Sequence, residues 1–176
     1  VAVGYYALKA FTTGDNNTAI GSYSGDAITT GDNNTVVGFN TGGKISTGNM
    51  NIILGSNGTG GNLTDKSENV VIGNRAAESF NFGASNVFIG QYAAKDWGSV
   101  VTNHCVVIGA NAGYDPDGTE ATGATLVGAY AGYQGAGNST AIGYYAAGYA
   151  TGSYNTFVGY EAGKGGTTSA PFSSGQ

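Results

Sequence analysis

The sequence predicts an all-β protein built as a parallel β-solenoid or β-roll of about ten short coils. A glycine-anchored motif recurs at intervals of 15–19 residues, most often 17. Three apolar or β-branched residues precede each of these glycines, which favours a short strand over a helix. The chain contains 33 glycines and is still 40% hydrophobic, so it can turn often and also build a core.

The overall composition excludes several classes of protein. Glycine does not recur at every third residue and there are only 2 prolines, which excludes collagen. The net charge of −5 argues against binding to nucleic acid or to an anionic membrane surface. No apolar run approaches the roughly 18 residues of a membrane-spanning helix. The single cysteine permits no internal disulfide, so packing and hydrogen bonds must stabilise the fold.

One glycine marks each repeat, and we call it the anchor. The clearest repeat is Thr-Thr-Gly-Asp-Asn-Asn-Thr, which occurs at 12–18 and again at 29–35. A fixed period of this kind is the signature of a stacked repeat architecture. The anchors are Gly4, Gly21, Gly38, Gly55, Gly73, Gly90, Gly109, Gly128, Gly143 and Gly159.

The residues before each anchor predict a strand that is apolar on both faces. A branched aliphatic residue precedes every anchor, and a β-branched residue stands three positions before it, as Ile20 and Thr18 do before Gly21. The residue between these two points to the opposite face and is always apolar. A narrow coil can bury only one face, so we expect a second copy of the chain to cover the other. A closed homotrimer suits a fibre-like stack.

Other positions predict how the coils stack. Asparagine stands four before the anchor in six coils and predicts a structural ladder of amide hydrogen bonds: Asn17, Asn34, Asn51, Asn69, Asn86 and Asn155. Cys105, Ala124 and Ser139 interrupt this row. We also expect a short second strand after each anchor and a polar turn. The solenoid domain is predicted to cover residues 1–163, and residues 164–176 to form a Gly/Ser/Thr-rich exit segment or linker.

These repeats resemble those of a known group of proteins. Residues 16–21 (Asn-Asn-Thr-Ala-Ile-Gly), 69–77 (Asn-Val-Val-Ile-Gly-Asn-Arg-Ala-Ala) and 139–147 (Ser-Thr-Ala-Ile-Gly-Tyr-Tyr-Ala-Ala) are similar to bacteriophage tail fibre repeats. They are also similar to the heads of bacterial trimeric autotransporter adhesins. Either resemblance implies a trimeric β-roll that binds a cell surface. Coils of mostly 17 residues favour the phage fibre.

The longer coils supply the candidate receptor-binding residues, because exposed loops on a rigid scaffold often carry recognition. The candidates are Asp96, Trp97, Tyr114, Asp115, Asp117 and Glu120. An aromatic ring beside polar groups suits a sugar, although the same loops can simply be solvated while Trp97 packs against the flank. The run from Asp115 to Glu120 resembles part of a calcium loop, but Asp-Pro-Asp-Gly is also good turn chemistry. We favour the turn and expect no metal site and no cofactor.

Nothing in the sequence singles out a catalytic site. His104 and Cys105 are adjacent, but Cys105 occupies the asparagine-ladder position, so we expect a buried, inert thiol. Carboxylates in the turns, such as Asp15 and Asp32, form no evident pair of the kind that hydrolyses glycosides. A row of tyrosines that follows the anchors could form a glycan-binding face, but we favour the alternative in which it covers the flank or a chain interface.

The function predicted from the sequence is that of a rigid, adhesive segment of a trimeric phage tail fibre. Its expected partners are two further copies of the chain, a host cell-surface glycan or protein, and other tail or fibre proteins. It is expected in the virion tail fibre, outside the host cell, with no nucleic acid bound and no membrane insertion. The alternatives are the head of a bacterial trimeric adhesin and, from another class, a solenoid enzyme that degrades polysaccharide.

Overall fold

The computed structural model describes residues 1–79, 82–97, 102–115 and 122–165. Within these ranges the only regular elements are ten short strands, one just before each anchor. They are β1 Ala2–Val3, β2 Thr18–Ile20, β3 Thr35–Val37, β4 Ile52–Leu54, β5 Val70–Ile72, β6 Val87–Ile89, β7 Val106–Ile108, β8 Thr125–Val127, β9 Thr140–Ile142 and β10 Thr156–Val158. No helix in the described part of the chain is long and apolar enough to cross a bilayer. Of residues 164–176, the structure describes only 164 and 165.

The ten strands form one parallel sheet in chain order, β1 to β10. The register keeps equivalent positions of the repeat opposite each other, so that Thr18 pairs with Thr35, and Thr35 with Ile52. This confirms the predicted all-β parallel solenoid. The longer coils keep the same register at their strands, as Val106 pairs with Thr125.

The middle residue of each strand points into the coil. Val36, Ile53 and Phe88 are all 0% exposed. The residues on either side of it point outward and stay half-buried or exposed, as the strand β3 shows. The two apolar faces of the strand therefore have different surroundings in a single chain, with one in the core and the other at the surface.

The rest of the core comes from the turn that follows each anchor. A small residue three positions after the anchor is fully buried in most coils, as Ala93 and Ala112 are. Large side chains then close the interior from the far side, among them Ile45 and Trp97. The rings of Phe88 and Trp97 meet edge to face at a centroid distance of 6.3 Å. Small and large residues at facing levels fill a narrow interior without voids.

The expected second strand after the anchor does not form in the described residues. The second position after each anchor, and the fourth after every anchor except Gly55, adopt left-handed φ values instead, such as 57° at Tyr92 and 50° at Ala94. Alternate left-handed residues curl the backbone where a strand would extend it. The amide of Tyr92 donates to Asn74 in the preceding coil at 3.1 Å, and that of Ala94 to Ala112 in the next coil at 2.9 Å. The coils are therefore hydrogen-bonded to their neighbours through the turn as well as through the sheet.

The asparagine ladder is confirmed over five coils, from Asn17 to Asn86. The side-chain amide of Asn51 donates to Asn34 Oδ1 at 3.0 Å, and Asn51 Oδ1 accepts from the backbone N–H of Asn69 at 3.1 Å. In the last coil of this ladder, Asn86 Oδ1 accepts from the backbone N–H of Cys105 at 2.9 Å. The ladder prediction is wrong for Asn155, because Ser139 interrupts the row and its short side chain supplies only Oγ to the Asn155 backbone N–H, at 3.1 Å.

A second polar ladder, which the sequence analysis missed, runs six positions before the anchors. Asp32 Oδ1 accepts from the backbone N–H of Asp15 at 2.6 Å, and Asn49 Oδ1 from that of Asp32 at 2.7 Å. Ser67 Oγ continues the row by accepting from the backbone N–H of Asn49 at 2.9 Å. The Asp32 carboxylate is thus a structural acceptor for the preceding coil.

The anchor must be glycine for a steric reason. A Cβ added to Gly90 would lie 2.4 Å from the carbonyl oxygen of Gly109 in the next coil, and Gly90 has a φ of 137°. Gly159 has nearly the same φ of 132°, but an added Cβ there would meet only Ala162 Cβ, at 3.8 Å. A substitution at Gly159 would therefore cause only backbone strain, whereas a substitution at Gly90 would cause the same strain and also a clash between coils.

We predict that Gly90→Ala destabilises the protein far more than Gly159→Ala. The Gly159 variant carries only the backbone strain, about 1–3 kcal/mol, whereas the Gly90 variant must also push two coils apart. Thermal and urea unfolding followed by circular dichroism measure the difference. Equal losses in the two variants would contradict the steric explanation.

We also predict that Asn51→Ala costs about 3 kcal/mol of unfolding free energy, because it leaves buried partners in both adjacent coils unsatisfied. Asn155→Ala is the matched control, since the Asn155 amide donates only to Ser153, at a partly exposed position. We expect its cost to stay below about 1 kcal/mol, the net value of one ordinary hydrogen bond. Urea unfolding of both variants provides the measurement, and similar costs would rule out a stabilising ladder.

Candidate functional site

The outward side of the sheet is a continuous apolar strip, which we call the aliphatic face. It consists of the residues immediately before and three before each anchor. In the single chain Ile20, Ile52 and Ile142 are 42%, 42% and 41% exposed. Every residue of the face is Val, Ile, Leu or Thr, and none of the ten coils places a charge there. Parallel sheets are normally covered on both sides, so this strip has the character of an interface.

The size of the aliphatic face follows from the strand spacing. Ten coils at a strand spacing of about 4.8 Å make a strip about 45 Å long, and two alternate residues span about 7 Å across it. Its area is therefore about 300 Å², comparable to the largest apolar patch on an ordinary monomer, which is often functional.

A second surface, the tyrosine flank, is formed by the side chains at the second and fifth positions after the anchors. Tyr6, Tyr92 and Tyr130 are second-position members, and Tyr114 and Tyr133 are fifth-position members. Rings from successive coils contact one another, as Tyr114 and Tyr133 do with centroids 5.5 Å apart and planes inclined by 24°. The left-handed backbone at the second position directs these side chains to the flank.

The tyrosine flank contains a cleft of about 340 Å³ that spans four consecutive coils. Its lining combines aromatic rings, two cations and one amide: Arg75, Tyr92, Lys95, Asn111, Tyr114 and Tyr133. The Lys95 ammonium lies 5.3 Å from the centroid of Tyr114 and 5.9 Å from that of Tyr92. The Arg75 guanidinium lies 5.5 Å from the centroid of Tyr92.

Each cation of the cleft also has an acidic partner. Arg75 Nε donates to Glu78 Oε2 at 2.7 Å, and Lys95 Nζ donates to Asp96 Oδ2. Neither Glu78 nor Asp96 lines the cleft, whereas Arg75 and Lys95 both do. The charged side chains of the lining are therefore both basic.

The ion pairs shift the pKa values of their members. The hydrogen bond to Glu78, followed by that to Tyr92, raises the pKa of Arg75. Burial raises the pKa of Asp96, but hydrogen bonds from Lys95 and Ser79 and the positive charge nearby outweigh it, so this pKa lies below its usual value. The Asp96 carboxylate is thus ionised well into the acidic range, which anchors Lys95 beside the cleft.

A smaller cleft of about 200 Å³ lies on the same flank in the preceding coils. Asn40, Lys44, Asn62 and Glu78 line it together with three glycines. Lys44 Nζ donates to Asn62 Oδ1 at 2.7 Å across it. Because Glu78 also binds Arg75, the two clefts share one ion pair as their boundary.

The predicted receptor-binding residues are not one surface patch. Trp97 and Asp115 are each 1% exposed, so the prediction of a surface role is wrong for them. Trp97 fills the interior because its coil places it at the level where Ile28 and Ile45 occupy the core in other coils. Tyr114 does line the cleft, and Asp96 holds Lys95 at its edge. Asp117 and Glu120 lie outside the described residues.

The sequence analysis did not identify the rest of the cleft. Arg75, Lys95 and Asn111 are far apart in the sequence, and no local motif joins them. Counting from the anchors would have found them, since each stands at the second or fifth position of its coil.

Other candidate chemistry has a structural explanation. Cys105 is buried, which raises the pKa of its thiol, and its backbone N–H caps the asparagine ladder. The adjacent His104 is exposed at the surface. Among the residues that the structure describes, no group of three or more His, Cys, Asp or Glu side chains could hold a metal ion.

Comparisons of the chain with protein-family models, with curated proteins and with solved structures find no match.

We predict that Lys95→Met raises the pKa of Asp96. Removal of the ammonium takes away its hydrogen bond and its positive charge, which lower this pKa, and leaves the burial that raises it. In the wild type, a lowered pKa means that the ion pair stabilises the folded state at neutral pH, and that this stability is lost as the pH falls through the folded-state pKa.

An NMR titration of the Asp96 carboxyl carbon measures both pKa values. Lys9→Met is the matched control, because Lys9 stands at the same repeat position but contacts Tyr6 in the first coil. An Asp96 pKa that does not change in Lys95→Met would contradict the assigned cause.

Proposed function

We propose that the chain is a rigid segment of a homotrimeric phage tail fibre, and that it assembles through the aliphatic face and contacts the host surface. One observation carries the structural part of the proposal, namely the uncharged apolar strip that runs the full length of the sheet. An exposed strip of this kind in water would promote uncontrolled association unless a specific partner covered it.

A second copy of the chain is the partner that fits best. The aliphatic face repeats at the strand spacing of about 4.8 Å, and an identical face has the same repeat and the same small and branched side chains. Two such faces can interdigitate at every coil. The aliphatic face by itself indicates only that another copy of the chain covers it. The threefold symmetry of the proposal rests on the resemblance of the repeats to those of tail fibres.

The tyrosine flank suits the adhesive part of the proposal. It is separate from the aliphatic face, so assembly would leave it accessible. Three copies would present three equivalent clefts around one rod, and multivalency strengthens contacts that are individually weak.

We predict that the wild type has three times the 17.5 kDa mass of one chain in solution. Ile72→Lys combined with Ile89→Lys places a charge on the aliphatic face in two adjacent coils. This variant should yield a folded particle of one-chain mass, because these charges cannot be buried between copies. Multi-angle light scattering after size exclusion measures the mass, and circular dichroism checks the fold.

The matched control is Thr47→Lys combined with Thr64→Lys, which adds the same charge at exposed turn positions away from the strands. This control should keep the mass of the wild type. A folded wild type of one-chain mass would overturn the proposal, and a two-chain mass would overturn its threefold symmetry.

A further inference from the structure

We propose that the cleft formed by Arg75, Tyr92, Lys95, Asn111, Tyr114 and Tyr133 binds a carboxylated sugar residue of a surface polysaccharide. This inference rests on the adhesive part of the proposed function and names its ligand class. Three independent features of the cleft lead to it: its aromatic walls, the two basic side chains of its lining and the distribution of charge along the flank.

The aromatic walls suit the body of a sugar ring. Tyr92, Tyr114 and Tyr133 are half-buried, so each ring is held by its neighbours and still presents surface to the cleft. The near-parallel pair of Tyr114 and Tyr133 forms a platform that bridges two coils. A flat aromatic surface packs against the C–H face of a pyranose, while polar groups at its edge bind the hydroxyls. Asn111 supplies such a group, because its amide offers both a donor and an acceptor.

The cations select for an acidic sugar. A guanidinium has five N–H donors, and Arg75 uses its Nε for Glu78 and a further contact for Tyr92. Lys95 likewise has three donors, of which Asp96 takes one. The remaining donors of both side chains can reach a carboxylate in the cleft. Neither Glu78 nor Asp96 is among the lining residues, so no acidic side chain of the lining repels that group.

The charge distribution of the whole chain sets this flank apart. The chain has 6 basic and 11 acidic residues, a net charge of −5. Four of the six basic residues stand at the second or fifth position after an anchor, whereas only three acidic residues do: Lys9, Arg75, Lys95 and Lys164 against Asp26, Glu78 and Glu161. These positions of the flank therefore carry a formal charge of +1 (four basic minus three acidic residues) on a protein of net charge −5, so they repel an anionic glycan less than the rest of the surface does.

The test uses the full chain in its assembled form and a panel of short oligosaccharides. Members ending in glucuronate, galacturonate or sialate are compared with the same oligosaccharides after reduction of the carboxyl group to an alcohol. Isothermal titration calorimetry and saturation-transfer NMR measure binding. We expect at least one acidic member to bind about 10- to 100-fold more tightly than its reduced form, the ratio that one charge-assisted hydrogen bond supports.

Variants assign the binding to this cleft. Arg75→Gln should reduce the preference for the acid, because only Lys95 remains to bind the carboxylate, and Tyr114→Ala should weaken the acidic and the reduced forms alike. Tyr114→Phe keeps the platform and should bind like the wild type. Lys9→Met removes a cation from the same flank outside the cleft and should have no effect.

Three outcomes would overturn the inference: no panel member binds, the acidic and reduced forms bind equally, or binding persists unchanged in Arg75→Gln and Tyr114→Ala. Light scattering on the same samples keeps this result separate from the proposed assembly. An assembled protein that binds no acidic sugar refutes the ligand alone, and a one-chain particle that binds one refutes only the trimer.

Discussion

The close stacking of successive coils is the constraint on which the rest of the structure depends. Because adjacent backbones lie at hydrogen-bonding distance all round the coil, each coil must repeat the conformation of its neighbour. The carbonyl of Gly109 leaves no room for a Cβ at Gly90, and the same contact recurs along the anchor row. Each residue is therefore constrained by the two neighbouring coils as well as by its own coil. The sequence period follows from this requirement, because a coil that changed its path would separate from both neighbours.

Stacking also determines how polar groups are used. A buried amide needs a hydrogen-bond partner, and a short side chain at the repeated position of the next coil supplies it. Asn34 and Asn51 satisfy one another and the backbone between them. At the surface turn, Asp32 and Asn49 each accept from a backbone N–H of the preceding coil. These polar ladders hold the coils in register where the three-residue strands would be too short to do so alone, which explains why Asp and Asn recur in these turns.

The aliphatic face and the tyrosine flank differ in chemistry because the described part of each coil contributes one strand to a single sheet. The aliphatic face repeats uncharged Val, Ile, Leu and Thr side chains, so it suits a partner with the same repeat. The tyrosine flank is the side of the turn, where the left-handed backbone presents each side chain outward and where the sequence is free to vary between coils. Variation places Arg75 beside Tyr92 and Lys95 beside Tyr114. The proposed function requires both properties: a uniform aliphatic face for assembly with other copies, and a tyrosine flank whose residues vary between coils for binding a ligand.

The period of the anchors and the apolar triplets determined the parallel solenoid, the strand positions and most of the amide ladder, because stacking leaves its mark at a fixed interval in the sequence. The left-handed turns were not predictable, since residues as different as Tyr92 and Asn111 adopt them under the hydrogen bonds of neighbouring coils. The burial of Trp97 was not predictable either, because the position of a residue within its coil decides whether its side chain fills the core. Only the tertiary structure brought Arg75, Lys95 and Tyr114 together, since stacking joins residues that are a full coil apart in the chain.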